Sequence, residues 1–203
     1  MAALAITVTI FIGAFFISQY LNERKTSELK AIEDKIAIDI LSFETQFDIF
    51  EESSCLTFNK SSIRSELQSL DQKLIFLEGQ VGANDPEVFR LKRYYSLLQI
   101  RDYLLTKRMS EQCNFDTVFL LYFYSHENCP ECQTQEYILR SVRDNYPQVE
   151  IYTFDYDVDL SAIRTLINLH NIPNNPPIID INGKLYAPFK SFADIEVILK
   201  PLL

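Results

Sequence analysis

The chain has 203 residues, 47% hydrophobic and 23% charged, which is enough apolar content to build a packed core and excludes a disordered chain. Its four glycines form no GxGxxG or GxxxxGK run, so a glycine-rich phosphate loop is excluded. The net charge is −9, with 13 basic and 16 acidic residues in 1–114 but 6 and 12 in 115–203; the acidic C-terminal part would repel a phosphate backbone, so no nucleic-acid partner is expected.

Residues 2–21 carry no charge. A helix of about 20 apolar residues spans a bilayer. Tyr20 suits the interface, and Asn22-Glu23-Arg24-Lys25 ends the run. The expectation is a transmembrane anchor over 1–21, making the membrane a partner, with a cleaved signal peptide as the alternative. No Lys or Arg precedes the run, while Arg24, Lys25, Lys30 and Lys35 follow it, which by the positive-inside rule would keep the rest in the cytoplasm. The even cysteine set argues for an oxidising compartment instead. The expected location is therefore the cell membrane, single-pass, with the C-terminal domain outside the cytoplasm.

Residues 22–114 are expected to form a helical domain. Leu29, Ile32, Ile36, Ile40, Phe43, Phe47 and Phe50 recur at helical spacing over 26–54. After a break at 55–61, Ser61 or Ser62 can cap a second helix running to about Gly79. Asp85-Pro86-Glu87 opens a third, with a capping oxygen, a proline at the first position and an acid in the first turn. It should run to about Met109, with Val88, Leu91, Tyr94, Tyr95, Leu98, Tyr103 and Leu105 as apolar positions. Three amphipathic helices in succession imply an antiparallel bundle or hairpin.

From Thr117 the period changes. Thr117–Tyr124 is a continuous β-favouring run of the kind found in a buried central strand. A helix over 130–146, a strand over 149–155 and a helix over 159–170 follow. Then come a strand over 178–181, a type I′ turn at Asn182-Gly183, a strand over 184–187 and a helix over 191–200. Residues 115–203 thus read as one α/β domain of order βαβαββα.

Within it, Cys129-Pro130-Glu131-Cys132 follows the first strand, and Asn175-Pro176-Pro177 precedes the third. This order and these two motifs resemble the thioredoxin superfamily over about residues 115–203. The Cys-Pro-x-Cys form is similar to that of glutaredoxins and bacterial periplasmic dithiol oxidases. The resemblance implies a thioredoxin-like fold and a thiol–disulfide oxidoreductase acting on protein thiols and disulfides. It implies no cofactor beyond the redox-active disulfide, no metal, and a membrane redox partner as a candidate electron source. It also implies a substrate-facing cis-proline, expected at Pro177 with Pro176 as the alternative.

The chemistry fits those residues. At a helix N-terminus, free N–H groups and the dipole favour a thiolate on Cys129, and Pro130 costs nothing in a first turn. Cys132, three residues on, can resolve a mixed disulfide. Several features depart from the family. There is no Trp beside the motif, and Phe123 occupies the position of the family's buried Asp, so proton transfer must use water, Glu127, Glu131 or His126. Glu131 should also raise the Cys129 pKa relative to a neutral or cationic neighbour. Pro176 lacks the N–H that the family offers a bound peptide there. His170 reads as a helix-end residue.

Cys55 and Cys113 lie at the same end of an up-down-up bundle, so a structural bridge between them is expected, with inert thiols or an auxiliary redox pair as rivals. A zinc site from all four cysteines lacks paired-ligand spacing. The rival to an enzyme is a non-catalytic, membrane-tethered thioredoxin-fold interaction module.

Overall fold

The computed structural model describes residues 55, 61–82, 85–126 and 129–203, together with 11–13, 15, 38, 41, 42, 45, 48 and 49. The chain divides into two compact units, Met1–Ser53 and Ser54–Leu203. The expected anchor over 1–21 and the helix over 26–54 lie almost wholly outside the described residues; the positions described in both stretches are helical. Among the described residues, no helix is long and apolar enough to cross a membrane.

The second unit opens with helix α1 (Ser61–Val81) and helix α2 (Pro86–Cys113). The start of α2 is the expected one: Asp85 Oδ1 accepts from Glu87 N at 2.8 Å and Pro86 takes the first turn. Its end lies four residues beyond the expected Met109. Met109 and Ser110 are buried, so the helix continues until Asn114 turns left-handed (φ 51°, ψ 46°) and returns its N–H to Ser110 O.

The expected βαβαββα order follows: β1 (Val118–Tyr124), α3 (Cys132–Asn145), β2 (Val149–Asp155), α4 (Ser161–Leu169), β3 (Ile178–Ile181), β4 (Lys184–Tyr186) and α5 (Phe192–Leu199). The strands form one mixed sheet in the order β2-β1-β3-β4. β1 runs parallel to β2 and antiparallel to β3, and β3 is antiparallel to β4. Asn182 (φ 49°) and Gly183 (φ 85°) make the type I′ link between β3 and β4. The strand β1, buried on both faces, splits the core. Leu121 and Phe123 pack with Tyr152 and Phe154 beneath Tyr103 of α2 and Ile163 of α4. Leu120 and Tyr122 pack with Ile151 beneath Leu139 of α3 and Ile195 of α5.

Two expectations need correction. The helices do not form a domain ending at residue 114, because α1 and α2 belong to the same compact unit as the sheet. Tyr103 on α2 contributes to the core cluster of β1, β2 and α4, so burying its ring binds helix to sheet. The buried face of α2 is only in part the apolar stripe read from the sequence: Val88, Leu98, Tyr103 and Leu105 are buried as expected. Leu91, Tyr94 and Tyr95 are only partly buried, whereas Lys92, Ser96, Gln99, Thr106 and Ser110 are buried. The reason is β2, an edge strand whose outward N–H and C=O groups need partners. Gln99 Oε1 accepts from Thr153 N at 2.8 Å, and Asp102 Oδ2 accepts from the Tyr152 hydroxyl at 2.9 Å. From the other side, Arg143 of α3 donates to Ile151 O at 3.1 Å.

The expected Cys55–Cys113 bridge is present, with Cα atoms 5.5 Å apart, and closes a sequence separation of 58 around α1 and α2. Such a loop is worth about 4 kcal/mol in the chain-entropy view. Cys55→Ser should therefore lower the urea-unfolding free energy by about 2–4 kcal/mol while leaving disulfide exchange at Cys129 intact. Unchanged stability would show that the bridge holds nothing in place.

Candidate functional site

Strand β1 delivers the chain to the site. Its last residues, Phe123 and Tyr124, pair with Phe154 and Asp155 of β2, and Phe123 also pairs with Ile178 at the start of β3. The stretch leading to Cys129 and the Pro176-Pro177 pair that precedes β3 therefore leave the sheet at the same end. The Pro176–Pro177 peptide bond is cis, with Pro177 buried and Pro176 partly so. A second cis bond, at Ala187–Pro188, had no signal that singled it out in the sequence. Its loop is held to α3 by the fully buried Gln135, whose amide accepts from Lys190 N at 2.7 Å and donates to Lys190 O at 3.0 Å.

Cys129 and Cys132 form a disulfide with Cα atoms 5.3 Å apart. Helix α3 starts later than the sequence implied: Cys129 and Pro130 precede it, Glu131 is the cap, and Cys132 is its first residue. Cys132 N bonds Cys129 O at 3.2 Å, a tight turn that leads into the helix. Cys132 is buried at 5% exposure, whereas Cys129 is partly exposed and Pro130 and Glu131 are exposed. Cys129 is thus the more accessible residue of the pair and Cys132 the more enclosed. The Tyr122 hydroxyl donates to Cys132 O at 2.9 Å from within the core. Glu131 makes no capping hydrogen bond with its side chain. Glu127 lies outside the described residues.

The loop before the cysteines is anchored by residues that the sequence reading passed over. Asp157 Oδ2 accepts from the Ser125 hydroxyl at 2.6 Å and from His126 N at 3.1 Å, while Asp157 N donates to Asp155 Oδ1 at 3.0 Å. Tyr122 stacks on Tyr124 at 5.8 Å, and Tyr124 meets the His126 ring edge-on at 5.1 Å. Alternate residues of β1 thus form an aromatic file that ends at His126. Burial pushes the hydroxyls of Tyr122 and Tyr124 above their ordinary range, with nearby Glu136 adding to both.

Beneath the loop lies a buried charged cluster. Lys92 from α2, 5% exposed, sits 2.7 Å from Glu78 of α1, 3.6 Å from Asp155 and 3.0 Å from His126 Nε2. Burial pushes the Asp155 carboxyl above the usual range, against the opposing pull of the Asp157 N–H and the Lys92 ammonium. Of the expected site residues, the structure brings Cys129, Cys132 and His126 to one end of the sheet, with the Pro176–Pro177 bond preceding β3 there. Lys92, Glu78, Asp155 and Asp157 were missed. The one signal for Lys92 was its spacing: positions 88, 92, 96, 99, 103, 106 and 110 share a helical face, but most of them are polar.

His170 is more than a helix-end residue. It caps α4, and its Nδ1 bonds the buried Asp180 of β3, whose other oxygen accepts from Gly183 N at 2.6 Å. This pin lines a cavity of about 320 Å³ that also touches Tyr103 and Phe119. The four cysteines are used in the two disulfides, which removes a four-thiolate zinc site.

No family model matches the chain, and no curated protein matches it. Among solved structures, it is similar to thioredoxin O2 of Arabidopsis thaliana in the oxidised state, at 16% identity over 49% of this chain and 87% of that one, with a TM-score of 0.37. It is also similar to Deadhead, a germline-specific thioredoxin of Drosophila melanogaster, at 19% identity over 49% and 88%, with a TM-score of 0.34. A structure described as a malarial protein aligns at 22% identity over 43% and 98%, with a TM-score of 0.36.

The raised Asp155 carboxyl gives a pH test. Its folded pKa lies above the unfolded 3.8, so the folded state binds the proton more tightly and stability from this group falls as pH rises through that window. In paired urea titrations, wild type should lose stability relative to Asp155→Asn as pH rises from about 3.8. A constant difference would contradict the burial of this charge.

Proposed function

We propose that this protein is a membrane-anchored thiol–disulfide oxidoreductase that exchanges disulfides with protein substrates through Cys129 and Cys132, outside the cytoplasm. The observation that carries this reading is the Cys129–Cys132 disulfide, with Cys129 partly exposed and Cys132 buried. In the reduced state, the Cys129 thiolate attacks one sulfur of a substrate disulfide and expels the other as a thiolate. Cys132, losing its proton, then attacks the Cys129 sulfur of the mixed disulfide. The second substrate thiol leaves, the Cys129–Cys132 bond forms, and two electrons have passed to the substrate. The reverse sequence installs a disulfide. Pro177, beside Pro176, is the proposed substrate-facing residue. His126 and Glu131 are the proposed carriers of protons, and a membrane redox partner is the proposed electron source or sink. The apolar run over 2–21 supports the anchor, and the Cys55–Cys113 bridge supports an oxidising compartment.

Glu131 is exposed beside the pair, and its negative charge disfavours a thiolate on Cys129. Glu131→His should lower the Cys129 pKa and raise the reduction potential of the pair, measured for the full chain against a glutathione series. An unchanged thiolate titration would refute the electrostatic role. A wild-type potential near or above about −150 mV marks an oxidant, and one near or below about −250 mV a reductant fed by a membrane donor. Cys132→Ser should trap a mixed disulfide on Cys129. A pair that stays disulfide-bonded at every poise would instead leave a tethered interaction module.

A further inference from the structure

We infer that helix α2 is a working part of the proposed redox site: Lys92 holds His126 as the neutral Nδ1–H tautomer and so sets the proton inventory of the loop that carries Cys129. This rests on the redox reading of Cys129 and Cys132 for its consequence, though not for its geometry.

The geometry is a triangle of three groups from three elements. Lys92 Nζ lies 3.0 Å from His126 Nε2 and 3.6 Å from Asp155 Oδ2, and the same Nε2 lies 3.5 Å from that same carboxylate oxygen. An ammonium has three donors and no acceptor. It bonds Nε2 only if Nε2 offers its lone pair, which puts the ring proton on Nδ1. The rival state, with the proton on Nε2 and a bond to Asp155, would set two donors against each other at 3.0 Å. The shorter contact therefore selects the tautomer. Glu78 at 2.7 Å from Nζ and Asp155 supply the negative charge that keeps an ammonium in place at 5% exposure.

The other groups around the imidazole are consistent with this. Tyr124 of β1 meets the ring edge-on, and burial, with Asp155 and Glu136 adding, pushes its hydroxyl well above the ordinary range. Asp157, beyond β2, is taken by Ser125 Oγ and by the backbone N–H of His126, which orients the residue without competing for its ring. The His126 side chain keeps 47% exposure and sits three residues before Cys129. A buried lysine from the helical hairpin thus fixes which proton a solvent-reaching imidazole can present. Lys92 is a positioning residue that acts through His126; Phe123 of β1 offers no proton at all.

The test uses the full chain in a Cys132→Ser background, where Cys129 is the free thiol once Cys55 and Cys113 are bridged. Ring nitrogen-15 shifts of His126 should show an unprotonated Nε2 with Lys92 present. In Lys92→Met, the proton should move to Nε2, where Asp155 accepts it. The variant also leaves the Glu78 and Asp155 carboxylates without their cation, so the pH profile of Cys129 alkylation by iodoacetamide should move upward and the rate at pH 7 should fall at least about threefold. Lys92→Arg should restore part of both. An Nε2-protonated ring in the wild type overturns the inference even if Lys92→Met fails to fold, and so does an alkylation profile that Lys92→Met leaves in place. Failure of the redox reading would register separately, as a Cys129–Cys132 pair that never cycles while the His126 tautomer is as inferred.

Discussion

The outward edge of β2 is the constraint around which the unit is organised. An edge strand presents a row of peptide groups that must find partners. Here they find side chains: Gln99 from α2 accepts from Thr153 N, and Arg143 from α3 donates to Ile151 O. Tyr152 reaches Asp102 on the same flank, and Arg64 of α1 pairs with Glu150 at 2.7 Å. A helix that serves a polar edge must itself be polar where it is buried, and α2 is.

That requirement carries a charge to the end of the sheet. The same face that offers Gln99 midway along β2 offers Lys92 seven residues earlier, opposite Asp155 at the strand's last position. A buried ammonium is costly without compensation, and Glu78, Asp155 and His126 provide it. The helical hairpin, which reads in the sequence as a separate spacer, thereby reaches the loop that carries the cysteines. The Cys55–Cys113 bridge lies at the opposite end of α2 and ties the two ends of the hairpin together.

Around this, the pair itself is asymmetric. Cys132 is enclosed by the first turn of α3 and held through its carbonyl by Tyr122, while Cys129 stands in the turn before the helix. The pair thus joins a partly exposed residue to a buried one. The exposed acid between them works against the thiolate.

The sequence by itself determined the order of elements. Continuous β-favouring runs at 118–124 and 149–155, Asn182-Gly183 between two short strands, and Asp85-Pro86 before α2 each act through local sterics or local hydrogen bonds, so each was legible. It also made Cys129 and Cys132 visible as a pair, because a spacing of three on one chain is a local fact. Only the tertiary structure decided what α2 buries. Lys92, Ser96 and Gln99 look like a solvated face until β2 is known to be the edge they meet, and hydrophobic periodicity is blind to a buried stripe made of hydrogen-bonding groups. The cluster of Glu78, Lys92, His126 and Asp155 joins four elements far apart in the chain, and His170 with Asp180 joins two more. Such contacts are selected by the register and packing of distant elements, for which no spacing along the chain gives a sign.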